Sequence, residues 1–128
     1  MSSRRAGRFF TVAEFDCSDG TAVPRAAHGE LVKLVSAYLD PLRRRFGATV
    51  ITSGFRTLRV NELVGGAPES FHRYDWKPGR GVAADFFCAT GTPAQWASFL
   101  DRLGAGGLGL YQEFVHVDTR RYRARWRG

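Results

Sequence analysis

The sequence predicts an α+β domain with a small antiparallel sheet and helices packed on it. Three observations carry the prediction. Between residues 28 and 46 the apolar side chains recur at spacings of three and four, the period of one helix face. Residues 48–53, 82–88 and 113–119 are short apolar or alternating runs, which read as strands. The 128 residues contain no proline-rich or serine-rich linker and no internal repeat, which suits one domain over residues 1–128.

Each element follows in chain order. Residues 1–8 have a basic start and are expected to be flexible. In the first helix, Leu31, Leu34, Val35, Tyr38, Leu39, Leu42 and Phe46 share a face. Pro41 should kink it and Gly47 should end it. A strand over 48–53 then delivers Gly54-Phe55-Arg56 into a loop, and a short helix runs from about 57 to 64. Gly65-Gly66 opens the loop that carries Ser70 and His72. Residues 82–88 are apolar apart from Asp85, a buried strand bearing one carboxylate, which is costly unless it is paired or bound to metal. Thr92-Pro93 starts a helix to about 103 whose apolar face includes Trp96, Phe99 and Leu100. Residues 104–109 read as a flexible connection into a last hairpin. Its strand alternates so that Phe114, His116 and Asp118 face away from Val115 and Val117.

Composition narrows the function classes. The net charge of +7, nearly all of its basic side arginine, favours polyanions, either nucleic acid or the anionic polymers of a bacterial wall. No helix-turn-helix, zinc-finger or aromatic RNA-binding signature supports nucleic acid. No stretch approaches 18 apolar residues and no apolar run follows the basic start, so neither a membrane span nor a secretory leader is expected. Two cysteines, Cys17 and Cys88, are too few for a disulfide scaffold and read as buried thiols.

The chemistry lies in His72, Asp85 and His116. Two imidazoles and a carboxylate suit one Zn²⁺ per chain in an open site, leaving a fourth position for water. Zinc lowers the pKa of such a water from about 15.7 to about 7, making a nucleophile available at neutral pH. Glu113, three residues before His116, is a candidate to take the water's proton, with Asp118 as the alternative base or as a partner orienting a ligand. His28 has no comparable company and is expected to be solvated near a helix start.

The order Ser70-x-His72, Gly81-x-Ala83-x-Asp85, Gly107-x-Gly109-x-Tyr111 and Phe114-Val115-His116-Val117-Asp118 resembles the zinc D-Ala-D-Ala carboxypeptidase family, which includes the phage L-alanyl-D-glutamate endopeptidases of peptidoglycan. Phe15-x-Cys17, Ser53-Gly54-Phe55-Arg56 and Asn61-x-x-Val64-Gly65-Gly66-Ala67 extend the likeness to the small single-domain branch. The resemblance implies a hedgehog/DD-peptidase-like fold, a peptidoglycan stem peptide as substrate, and His72, Asp85 and His116 as zinc ligands. It also implies Glu113 as base, as in the E-x-x-H of several members, and Arg56 facing the substrate. Ser53, Ser70 and Tyr111 are candidate substrate contacts. Ser70 could instead cap its loop, and Tyr111 could belong to the core. The absent leader suits a phage lysis or virion protein, taken to be a monomer unless built into a virion.

One spacing departs from the family. Asp85 stands thirteen residues after His72 where seven is usual, so residues 73–80 hold an insert. Pro78-Gly79 is a turn signal, and the insert is expected to bulge as a surface loop at little entropic cost. Asp75 within it is a competing carboxylate. Two readings without catalysis stand beside the enzyme: a virion module of the same fold that binds peptidoglycan, and a polyanion binder driven by the arginine-rich tail 120–127.

Overall fold

The computed structural model describes residues 4–77 and 79–128. Its apolar periodicity builds one bent helical stretch in three pieces: α1 (His28–Leu34), a π-turn (Val35–Leu39) and α2 (Asp40–Phe46). Leu31, Leu34, Val35, Leu39 and Leu42 are fully buried along it. Proline lacks an amide hydrogen and crowds the carbonyl four residues back, so no regular helix runs through Pro41. The wider turn before it is the expected kink. Gly47 closes the stretch at φ +83.

The remaining elements are β1 (Thr49–Ser53), α3 (Leu58–Leu63), β2 (Ala83–Cys88), α4 (Pro93–Arg102), β3 (Gly107–Leu110), β4 (Val115–Asp118) and β5 (Ala124–Arg127). Thr57 caps α3 by accepting from the Val60 amide at 3.2 Å. Thr92 and Gln95 cap α4 reciprocally. The strands lie in the order β1-β2-β4-β3-β5. All neighbours are antiparallel except β3 and β5, so the sheet is mixed rather than wholly antiparallel. The connection over residues 119–123 passes β3 and brings the tail alongside it in the same direction. Val115 and Val117 of β4, Ala84 and Phe86 of β2, and Leu100 and Trp96 of α4 fill the core on one sheet face. Among the described residues no helix is long and apolar enough to cross a membrane.

Four expectations need correction. The chain before residue 9 is packed rather than flexible where it is described. Ala6 is buried, Arg5 bridges to Thr11, and the Arg8 and Phe9 amides donate to the Asp40 carboxylate at 2.7 and 3.1 Å. The flexible connection 104–109 runs into β3, because Gly107 donates its amide to Asp118 and the next residues pair on both sides. His28 opens α1 half-buried, and its Nδ1 has no hydrogen-bond partner among the described residues. The insert is not a free bulge. Tyr74 is buried, stacks near Phe55 with ring centres 5.6 Å apart, and donates its hydroxyl to the Ala83 carbonyl at 2.7 Å. The Pro78 half of the expected Pro78-Gly79 turn lies outside the described residues; Gly79 has φ +96.

The arginine tail is likewise built into the fold. Arg120 binds Asp118, Arg121 binds Glu30, and Arg123 and Arg125 both bind Asp101. Four of its arginines are thus occupied by the protein's own carboxylates, which leaves less cationic surface for wall polymers than the sequence implies. Glu30 is buried against that tail. Hydrogen bonds from Arg121, opposed by burial and aided by Lys33 and Thr119, lower its pKa to about 2. A carboxylate depressed in the folded state stabilises above its unfolded pKa, and that contribution is lost as pH falls from about 4.5 toward 2. In metal-free protein Glu30→Gln is therefore expected to lose about 1–3 kcal/mol at pH 7 in urea unfolding. The gap from wild type should narrow below about pH 4.5 and close only as pH reaches about 2; an unchanged gap there would show that the charge of Glu30 is not what matters.

Candidate metal centre and cleft

The sheet aligns the site across its strands. Ser53 pairs with Asp85, Asp85 with His116, His116 with Gly109, and Gly109 with Trp126. Directly opposed residues share a face, so one row crosses the sheet on the side away from the core. A β-bulge between Ile51 and Ser53 ends β1 at this row. Glycine is required at 109, where a Cβ would stand 2.4 Å from the Trp126 indole nitrogen. That gap lets the Trp126 ring reach within 5.0 Å of the His116 ring.

His72 reaches the row from a loop. The Arg56 amide donates to the His72 carbonyl at 2.8 Å, and the His72 amide donates to the Ser70 hydroxyl at 3.1 Å. Gly54, whose carbonyl faces His72, packs directly on the Phe15 backbone, where a Cβ would meet the Phe15 carbonyl oxygen at 2.7 Å. Ser70 therefore caps the loop, and Ser53, accepting from Arg56 Nε at 3.1 Å, positions that arginine.

The donors around the two imidazoles decide which nitrogens are available. His72 Nδ1 lies 2.8 Å from the Gly54 carbonyl, which can only accept, so the proton of a neutral ring sits there and Nε2 carries the lone pair. His116 Nε2 lies 2.8 Å from Asp118 Oδ2, which leaves Nδ1 as its lone pair. Those two lone pairs point at Asp85 Oδ1, 3.2 Å from His72 Nε2 and 3.0 Å from His116 Nδ1. Three electron-pair donors thus converge within 4.8 Å of one another with no hydrogen of their own between them. A cation resolves that arrangement, and the second nitrogen of each histidine is already oriented by an acceptor, as metal-bound histidines are.

The electrostatics agree at Asp85 and His72 and run the other way at His116. Burial alone would raise the pKa of Asp85, but hydrogen bonding to His116 and His72 outweighs it and holds the carboxyl well below the usual range. Burial lowers the pKa of His72, against the pull of Asp85, favouring the neutral ligand form. At His116 burial would lower the pKa, but Asp118 and Asp85 outweigh it and raise it, so a proton competes with a cation for Nδ1. Asp118 is itself fully buried, takes the Gly107 amide at 2.9 Å, and is clasped by Arg120 at 2.7–3.0 Å. It faces His116 Nε2, and both its oxygens are taken by buried donors.

A cleft of about 520 Å³ opens over the row, and its lining includes Arg56, Glu69, Ser70, Phe71, Arg80 and Tyr111 besides the three candidate ligands. Arg56 Nη2 stands 3.5 Å from Asp85 Oδ2. Tyr111 lines the cleft, stacked on Phe114 at 4.4 Å, and its hydroxyl accepts from Trp126 at 2.9 Å. Glu113 lies in the turn between β3 and β4, exposed and outside the lining. Asp75 is held by Arg73 at 2.9 Å, away from the histidines. Sequence reasoning missed Glu69, Phe71, Arg80, Arg120 and the Gly54 carbonyl. Asp118 and Arg120, two apart after His116, were the signal for one of these contacts; no sequence spacing marks the others.

Comparison with known proteins gives two matches. The sequence model of the family described as Peptidase M15 matches residues 8–118. A zinc D-Ala-D-Ala carboxypeptidase of Streptomyces albus G is 35% identical over 81 residues, which cover 62% of this chain and 31% of that protein. The aligned stretch thus spans about a third of that relative's length. No solved structure matches.

Proposed function

Because the chain belongs to the peptidase M15 family, we propose that it is a zinc-dependent peptidase that hydrolyses an amide of the peptidoglycan stem peptide. The observation that carries this reading is the meeting of three lone pairs, from His72 Nε2, Asp85 and His116 Nδ1, in one buried row beside an open cleft. Two nitrogens and one carboxylate oxygen are the donor set of an open hydrolytic zinc site. Bound there, zinc supplies a Lewis acid for the scissile carbonyl and lowers the pKa of a water to about 7.

The chain's own residues do the rest. Glu113 takes a proton from the attacking water, whose oxygen bonds to the carbonyl carbon. As the carbon–nitrogen bond breaks, the same carboxyl returns the proton to the leaving amine. The reading of Glu113 is supported by its E-x-x-H spacing and by its place in a turn whose residues Tyr111 and Phe114 line the cleft. Its exposed side chain must rotate inward to act. Glu69 is the carboxylate besides Asp85 in the described lining and is the competing base. Arg56, oriented by Ser53 and by Asn61 at 3.3 Å, offers N–H groups to the oxyanion that develops. Tyr111 and Ser70 shape the cleft for the peptide.

Digestion of purified sacculi, with mass spectrometry of the new termini, tests the reading. New termini at one stem amide, abolished by a zinc chelator and restored by zinc, are the expected result. A zinc-loaded protein that binds sacculi and releases no new terminus would make it a binding module instead. Loss of a single terminal residue would mark a carboxypeptidase, and an internal cut an endopeptidase.

A further inference from the structure

Arg80 is a cation that the proposed chemistry does not use. It closes the insert, and its guanidinium turns back over the cleft wall, 3.9 Å from the Phe71 ring centre and 4.6 Å from that of Trp76. Nε donates to the Trp76 carbonyl, and one terminal nitrogen, Nη2, donates to the carbonyls of Glu69 and Ser70. No hydrogen bond among the described residues uses Nη1, the other terminal nitrogen.

The other arginines of the cleft differ in their partners. Arg56 faces Asp85 and Arg120 is clasped by Asp118, whereas among the described residues no carboxylate oxygen lies within ion-pair distance of Arg80. Arg120 adds to the demand for an anion, since its guanidinium packs on the same Phe71 ring at 4.4 Å. Burial first, and then the charge of Arg120, lower the pKa of Arg80, so an arriving anion would relieve both. Arg80 lines the same cleft as the candidate metal ligands.

Resting on the stem-peptide reading, we propose that Arg80 is a specificity-determining residue that binds a free carboxylate of the substrate, at a position separate from Arg56 and built by the insert. Its planar fork is preoriented by three carbonyls and two aromatic rings, and Nη1 retains two N–H groups for an oxygen. A carboxylate fits better than a neutral amide because among the described residues no carboxylate pairs with Arg80, the charges of Asp118 and Glu69 acting on it only from beyond ion-pair distance.

The test compares one synthetic stem peptide with its carboxylates free and the same peptide amidated, using zinc-loaded wild type, Arg80→Gln and Arg80→Lys. For the free acid, Arg80→Gln should raise KM roughly tenfold or more with kcat little changed, the size expected of one charge-assisted hydrogen bond. For the amide it should change neither, and Arg80→Lys should recover part of the preference. Binding of the corresponding product peptides, followed by tryptophan fluorescence, supplies a readout without turnover and should show the same charge preference. Equal losses for acid and amide would mean that Arg80 only braces the His72 loop, and no loss for either would mean that it binds nothing; both overturn the proposal. If no stem peptide is cleaved, the function reading fails separately, and the fluorescence preference alone decides the role of Arg80.

Discussion

Replacing His116 with Ala is expected to abolish stoichiometric zinc and peptidase activity together. His116 contributes one of three converging donors, and its removal also takes from Asp118 the imidazole it faces at 2.8 Å. Two remaining donors, one of them a carboxylate, make a poor site for a cation that takes three protein ligands in catalytic centres. Asp118→Asn separates holding the metal from orienting its ligand. It keeps a carbonyl acceptor for the imidazole but removes the charge, and should weaken zinc by about 10- to 100-fold, the usual cost of losing an outer partner. Metal content by inductively coupled plasma mass spectrometry, with circular dichroism to confirm folding, reads all of these. Full zinc in a folded His116→Ala protein would sink the assignment. Full zinc in Asp85→Ala together with loss in Asp75→Ala would move the carboxylate ligand into the insert, against the pairing of Asp75 with Arg73.

The second large effect is expected at the base. Glu113→Gln should keep zinc and the fold while lowering turnover by a factor on the order of 10² to 10⁴, the range for general-base contributions. Glutamine matches the shape of the side chain and cannot take the proton, so the change isolates proton transfer. Glu69→Gln is the necessary comparison, because Glu69 lines the cleft and Glu113 does not. Near-normal turnover in Glu113→Gln with a steep loss in Glu69→Gln would transfer the role to Glu69. Losses in both would indicate that one removes the proton and the other holds the substrate, and the variant with the greater effect on kcat is then the base.

The split between Glu113 and His116 shows where sequence reasoning stops. The alternation read from the sequence puts both in one hairpin strand, and the parity of β4 separates His116 and Asp118 from Val115 and Val117 as that alternation implies. Glu113 falls before the strand begins, in a turn whose backbone is not governed by that alternation, so its direction depends on rotamers that no spacing reveals. The insert shows the same limit. Its turn residues suggested a loop, but Tyr74 found a buried seat against Phe55 and the Ala83 carbonyl, contacts with residues well separated from it in the chain.

The sequence by itself determined the local facts: the helical face from Leu31 to Phe46, the cap at Thr92, the strand that carries Asp85, and the three candidate ligands. These are legible because helix and strand periods and capping hydrogen bonds act over a few residues. Only the tertiary structure decided that the arginine tail forms β5 parallel to β3, that its charges close on Glu30, Asp101 and Asp118, and that Gly109 opens a gap for Trp126 beside His116. It also decided which nitrogen of each histidine faces an acceptor and which is left facing Asp85, through the Gly54 carbonyl and Asp118. Such outcomes depend on which strands become neighbours and which buried donors meet which acceptors, and that pairing belongs to the folded chain as a whole.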